Sequence, residues 1–288
     1  MARYAIGLDY GTNSVRTLIA DVANGREVGS AVWDYAHGDQ GIILSDDPHL
    51  ARQHPDDYIR GAEAGLRQAL AQADRKRKSF RPDQVVGIGV DTTGSTPLPV
   101  DAAGRPLAFD ERFAGRPAAL AWLWKDHTSV AEAEEITELA RGMRPHLLAK
   151  CGGVYSSEWF FSKILHCLRS DPGVFDAAHT WVEIADWIPA MLTGTEHPDK
   201  LTVGICAAGH KAMYNDEWGG YPDEEFLSQL DGKLGDLRRR LPTKAWTSDH
   251  AVGGLSEDWA RRTRLPAGTP VAVGADPGRI AILDNFCW

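Results

Sequence analysis

The sequence predicts an α/β domain, a mixed sheet flanked by helices, on two observations. The first is the opening stretch YAIGLDYGTNSVRTLIADV, residues 4–22. Here an apolar run ends in an aspartate and a small polar turn, then resumes as a second apolar run. The second is the order of periodicities that follows: three strands, a helix, then a further apolar strand.

Each element follows from its residues. Residues 4–9 and 14–22 read as strands joined by the turn Tyr10-Gly11-Thr12-Asn13. Asn24-Gly25 is a hairpin signal, because both residues tolerate positive φ, and residues 27–35 read as the third strand. Tyr58, Ile59, Ala62, Leu66, Ala69 and Leu70 fall at helical spacing within residues 56–73. RKRK at 75–78 reads as a solvated charged turn rather than a targeting signal. QVVGIGVDTTGSTPLPV, residues 84–100, reads as a buried strand ending in a second aspartate and a run of small hydroxyl residues. That order, with more helices and short strands beyond it, predicts a ribonuclease H-like domain, the unit shared by sugar kinases, actin and chaperone ATPases.

Composition narrows the partners. The 288 residues, 43% hydrophobic and 25% charged, suffice for one large core or two modest ones. A formal net charge of -9 leaves no basic footprint for nucleic acid and argues against an anionic membrane surface, so small polar metabolites are the natural partners. No run approaches the roughly 18 apolar residues of a membrane span, and the N-terminus has no leader pattern. The four cysteines form no CxxC pair, so neither a zinc ribbon nor a disulfide framework is indicated, and a reducing cytoplasm fits. The ten histidines include no HExxH pair, and His127, His166 and His210 read as structural. Neither a GxxxxGK[ST] loop nor a GxGxxG fingerprint occurs.

In a ribonuclease H-like domain the turn after the first strand has a chemical use. Backbone N–H groups and the Thr12 and Ser14 hydroxyls approach nucleotide phosphates there, while Asp9 helps hold a hydrated magnesium ion. Gly11 is expected because a Cβ would obstruct that approach or the turn. On local pattern alone, a plain hairpin turn with a helpful glycine is the alternative.

Six segments in order, GLDYGTNSVR, GVDTTGSTPLPVD, AWLWKDHT, KCGGVYSSEWFFSKILH, DWIPAMLTG and CAAGHKAMYNDEWGG, span residues from about 4 to about 275. Together they closely resemble the L-ribulose-phosphorylating members of the FGGY family of carbohydrate kinases. The resemblance implies transfer of a phosphoryl group from ATP, with Mg2+, to a ketopentose, converting L-ribulose to L-ribulose 5-phosphate. It implies that Asp9, Gly11, Thr12, Asn13 and Ser14 form the first phosphate-binding element, Asp9 serving the metal. Sugar hydroxyls would be met near Ser95 and Thr96, at Trp124 and Asp126, at Glu158, and at Lys211. Lys211 stands first among these because an ammonium donates to several oxygens at once. Packing is the alternative for Trp122, Trp124 and the run Trp159-Phe160-Phe161. Glu158 is open between touching sugar and capping a helix expected to begin near Ser156. Asp186 reads as fixing a helix or turn.

PVAVGADPG, residues 270–278, repeats the pattern of YAIGLDYGT. The resemblance implies two duplicated halves around a cleft, with the second aspartate as general base, a role that falls here to Asp276. The match then departs from the family: Ala275 runs directly into Asp276-Pro277-Gly278-Arg279, without the family's aromatic residue and histidine, and the alignment needs a one-residue gap. The expected organisation is therefore a first-half domain over 1–265 and the start of a second half with a divergent tail over 266–288. An incomplete chain, its tail from a shifted reading frame, a misplaced stop or a fusion scar, would leave the 271–275 strand without sheet partners and turn over little or no ATP. Oligomeric state stays open, a homodimer being common in the family. Two other readings stand beside the kinase: an inactive sugar- or partner-binding remnant, and an actin-like or chaperone-like ATPase. The last leaves WLWKDH and CAAGHKAM unexplained.

Overall fold

The structure is a computed structural model that describes residues 2–149 and 151–275. Strands β1 (Tyr4–Tyr10) and β2 (Ser14–Asp21) form a hairpin, and β3 (Glu27–Asp34) continues the antiparallel meander. β1 is buried on both faces, as its unbroken apolar run requires of a central strand. The short β4 (Arg52–Gln53) leads into α1 (Pro55–Lys76). Pro55 supplies a helical φ at the first position, the His54 ring accepts the Asp56 amide, and Asp56 and Asp57 sit at the positive helix end. The buried stripe Tyr58, Ala62, Leu66, Ala69 and Ala73 lies on β2 and β3. Contact is close enough that a Cβ at Gly61 or Gly65 would stand 2.4 Å from Val15 or Thr17, so only glycine fits there.

After α1 the chain enters β5 (Val85–Thr92), parallel to β1, then β6 (Pro97–Val100) and β7 (Ala121–Trp122), which pairs with β4. Helices α2 (Val130–Met143), α3 (Phe160–Ser170) and α4 (Pro172–Ala177) precede β8 (Thr180–Glu183), the antiparallel partner of β6. Next come α5 (Ile184–Thr193), β9 (Val203–Gly204), α6 (Ile205–Lys211), α7 (Glu224–Leu230) and α8 (Gly232–Arg238). The described chain ends through β10 (Ala245–Trp246), β11 (Ala251–Gly254), α9 (Glu257–Thr263) and β12 (Pro270–Ala272). The main sheet runs β11-β12-β5-β1-β2-β3. One apolar cluster joins this sheet to α1, α5 and α9, and a second gathers α2, α3, α4, α7 and α8. Each fully buried Ile, Leu or Phe in them contributes about 1.5–3 kcal/mol.

Two expectations change. The 271–275 strand does have partners: Val271 registers with Ile88, Pro270 with Gly254, and the Ala275 amide donates to the Val90 carbonyl at 3.0 Å. β1 occupies only one edge of β5, so the other edge is open to a parallel neighbour. The helix expected near Ser156 begins at Phe160; Ser156 instead accepts the Glu158 amide in a turn that precedes it. Among the described residues Cys151 and Cys167 are buried in the core and Cys206 is half-buried, and burial pushes the Cys151 thiol up to about 11. Among the described residues no helix is long and apolar enough to cross a membrane.

Candidate nucleotide and sugar site

The turn between β1 and β2 projects from the end of the central strands. Asp9 lies in register with Asp91 of β5, and its carboxylate, 36% exposed, accepts from Arg16 at 3.0 Å. The Gly11 amide closes the turn onto the Ser14 carbonyl at 2.9 Å. The Thr12 carbonyl accepts from Gln53 at 2.7 Å, and the Asn13 side chain donates to the Gln40 carbonyl at 2.7 Å. Ser14 is nearly buried at the start of β2. Among the described residues, the Thr12 and Asn13 amides meet no acceptor. Adjacent open N–H groups beside a carboxylate are what a polyphosphate with a hard divalent cation requires. The donor set fits that group: Asp9 for the ion, the amides and the Thr12 hydroxyl for phosphate oxygens. Of the two reasons expected for Gly11, the structure removes one. A Cβ there would lie 3.4 Å from the Ser14 carbonyl oxygen, an ordinary contact, so the turn itself does not demand glycine.

Trp124 joins this turn to the second set of candidates. Its indole N–H donates to the Thr12 hydroxyl at 3.1 Å, and its side chain remains exposed. Next along the chain, His127 sits 3.1 Å from the Ser157 hydroxyl, and Ser129 donates to the Ser157 carbonyl at 2.9 Å. Glu158 follows in that turn, partly exposed. Trp159 then packs on His210, ring centroids 4.8 Å apart, and the Tyr155 hydroxyl donates to the Lys211 carbonyl at 2.6 Å. Lys211 ends α6 with its ammonium 2.9 Å from His210 Nδ1. Hydrogen bonds, a ring contact and short stretches of chain thus link Thr12, Trp124, Glu158 and Lys211 in series.

Ser95, Thr96 and Asp126 lie elsewhere than expected. All three have no accessible surface. The Ser95 hydroxyl and the Thr96 amide both donate to the Glu183 carboxylate, and Thr96 Oγ1 shares a hydrogen bond with Thr93. Asp126 pairs with Arg52 and accepts from the Ala51 amide and the Thr128 hydroxyl. These side chains hold the interior and present no atom to a ligand, which corrects the expectation that they meet sugar hydroxyls. Asp186 matches its reading: it accepts from the Gly204 amide at 2.7 Å, and burial pushes its carboxyl well above the usual range. Asp276 lies outside the described residues.

Sequence reasoning missed three residues. Lys163 of α3 is fully buried and donates to the carbonyls of Ser95, Trp122 and Leu123 at 3.0, 3.2 and 2.8 Å. Burial drives its ammonium well below the usual lysine range, while the nearby Glu183 opposes that shift. Arg52 stacks on the Trp122 ring, 3.4 Å from its centroid. The available signal was Lys163 itself, a cation one residue before Ile164 on a helix whose other buried residues, apart from Ser162, are apolar. His37, His54 and Asp56 also cluster within 4.8 Å. Those two rings stack at 4.1 Å and 15°, so their in-plane lone pairs run side by side and do not converge on one ion. The pair reads as the start of α1.

The model of the FGGY family of carbohydrate kinases, N-terminal domain, matches residues 4–283. The chain belongs to the FGGY family of carbohydrate kinases. A ribulokinase of Vibrio parahaemolyticus serotype O3:K6 is 45% identical over 273 residues, covering 94% of this chain and 47% of the relative. One from Shouchella clausii is 39% identical over 288 residues, covering 98% and 49%. This FGGY chain spans about half the length of the curated relatives it matches. Among solved structures, a xylulose kinase from Rhodospirillum rubrum aligns with a TM-score of 0.71 at 22% identity, covering 95% of this chain and 49% of that one. Plasmodium falciparum glycerol kinase with ADP aligns with a TM-score of 0.72 at 14% identity, covering 96% and 49%. At those identities the likeness establishes the fold, which is the sugar kinase and actin type expected from the strand order.

Proposed function

We propose that this chain forms the sugar-facing half of an ATP-dependent kinase that phosphorylates L-ribulose to L-ribulose 5-phosphate. The observation that supports this best is the Trp124–Thr12 hydrogen bond, which ties a turn with two open amides to the segment that leads to Glu158 and Lys211. Phosphoryl transfer depends on alignment and charge neutralisation more than on covalent chemistry by the protein. The Thr12 and Asn13 amides and the Thr12 hydroxyl donate to phosphate oxygens. Asp9 holds the divalent ion, proposed as Mg2+, which when bound neutralises phosphate charge. The exposed face of Trp124 packs on the sugar's C–H edge, while the Lys211 ammonium donates to its hydroxyls. Glu158 accepts from a hydroxyl. Asp276 is our candidate for the base that takes the proton of the attacking hydroxyl. A cytoplasmic location rests on the cysteine pattern, and a homodimer on the resemblance alone.

The test is ADP formation by the purified chain with Mg2+, ATP and L-ribulose, with calorimetric L-ribulose binding alongside and Lys211→Ala as control. Sugar-dependent ADP lost in the control supports the whole reading. Binding lost in the control, with no ADP, supports the sugar site and leaves this chain as a binder. Absence of L-ribulose binding by the folded chain overturns the proposal.

A further inference from the structure

Beneath Trp124 the chain places a fully buried lysine where an apolar residue would fill the same space. Burying a charge costs several kcal/mol unless good hydrogen bonds compensate it, so the ammonium must do something that methylenes cannot. Lys163 has three N–H donors, and three carbonyl oxygens lie within 3.2 Å of its nitrogen. They belong to two segments far apart in sequence: Ser95 follows β5, and Trp122 and Leu123 immediately precede Trp124. Glu183 supplies the balancing charge and binds the first segment itself through Ser95 and Thr96. Arg52 clamps the second through its stack on Trp122 and its pair with Asp126. The ammonium is thus the point where both segments and α3 meet.

We infer that Lys163 is a positioning residue: by binding the carbonyls of Ser95, Trp122 and Leu123 it fixes where the Trp124 ring stands, and through it the sugar. Its consequence for sugar rests on the ketopentose reading, whereas its consequence for Trp124 does not. The experiment therefore reads the two separately in the 288-residue chain. Lys163→Met and Lys163→Arg are compared with the parent by the Trp124 indole N–H signal in 1H–15N spectra without sugar, assigned through Trp124→Phe, and by calorimetric L-ribulose affinity.

In Lys163→Met the Trp124 signal shifts or broadens while that of Trp33, on the outer strand of the sheet, stays in place, and L-ribulose binds at least tenfold more weakly. Lys163→Arg recovers part of both effects, since its planar fork keeps the charge but cannot address three carbonyls from one nitrogen. If Lys163→Met fails to fold, the smaller Trp124 shift in Lys163→Arg decides. An unmoved Trp124 signal in a folded variant overturns the inference whatever the affinity does, and a moved signal with unchanged affinity overturns its extension to sugar. A moved signal in a chain that never binds L-ribulose supports the positioning role and defeats the ketopentose reading.

Discussion

Two polar regions lie one above the other in this protein and differ in nearly every physical respect. The rim, formed by Asp9, Thr12, Asn13, Trp124, Glu158 and Lys211, is partly exposed, and two of its amides are open. The interior below it, formed by Arg52, Ser95, Asp126, Lys163 and Glu183, is buried and tied into a network. One motif can feed both: Trp124 and Asp126 stand two residues apart, yet one is exposed and the other is sealed. A motif therefore marks a segment with a task and leaves undecided which side chains meet the ligand and which hold the segment still.

The largest effect that could break this division comes from Asp126. Asp126→Ala leaves Arg52 buried and uncompensated, and loss of one partner of such a pair costs about 3–5 kcal/mol. Urea unfolding of the chain should show a loss of that size. A variant of near-parent stability that binds L-ribulose poorly would move Asp126 to the rim. Ser95 offers a smaller and sharper test. Ser95→Ala removes a donor from a buried Glu183 oxygen, a loss of about 1–3 kcal/mol in unfolding measurements, with L-ribulose affinity of the folded variant unchanged. Weak binding without lost stability would reassign the Ser95 hydroxyl to the sugar.

These two residues also show how far the sequence could be read. Strand order, the β1–β2 hairpin, α1 and β5 were legible because apolar periodicity is set by the burial that forms them. The turn at Thr12 was legible as a turn from its small polar residues between two apolar runs, and Trp124 entered only through the resemblance, its role in a site resting on the proposed function. The interior place of Ser95, Thr96 and Asp126 was not legible, since a hydroxyl or carboxylate in a motif looks the same whether its partner is a sugar or Glu183 and Arg52, residues contributed from elsewhere in the chain. The partners of the 271–275 strand were equally hidden, because the free edge of β5 exists only once β1 has taken the other side.

Asp186 sharpens the comparison through pH. Its carboxyl is raised by burial in the folded state, so between the unfolded value of about 3.9 and the raised one the native chain binds more protons than the unfolded chain. Stability attributable to this group therefore falls as pH rises through that window. Asp186→Asn removes that slope while its amide oxygen still accepts from the Gly204 N–H. Urea midpoints at pH 5 and pH 7 should show the variant at least as stable as the parent at pH 7, with the parent gaining on it toward pH 5. A variant that is weaker at pH 7 would mean that an ionised Asp186 is required, and that the interior tolerates a charge there.

Gly11 gives the smallest expected effect on stability and the cleanest separation of the two regions. Its φ lies outside the left-handed range, and an added methyl meets only the Ser14 carbonyl oxygen at 3.4 Å, so Gly11→Ala should leave the unfolding midpoint within about 0.5 kcal/mol of the parent. If the fold does not need glycine at this position, the remaining reason for it is what approaches from outside, beside the open Thr12 and Asn13 amides. A methyl on that approach holds phosphate oxygens off the amides. Nucleotide affinity, measured by calorimetry with ADP and Mg2+ against the parent chain, should then fall about ten- to a hundredfold, since one lost hydrogen bond to a charged group is worth about 1.5–3 kcal/mol. Unchanged nucleotide binding in a stable Gly11→Ala chain would show that the turn is only a hairpin, and the rim would lose its phosphate end while Trp124 and Lys211 kept the sugar end.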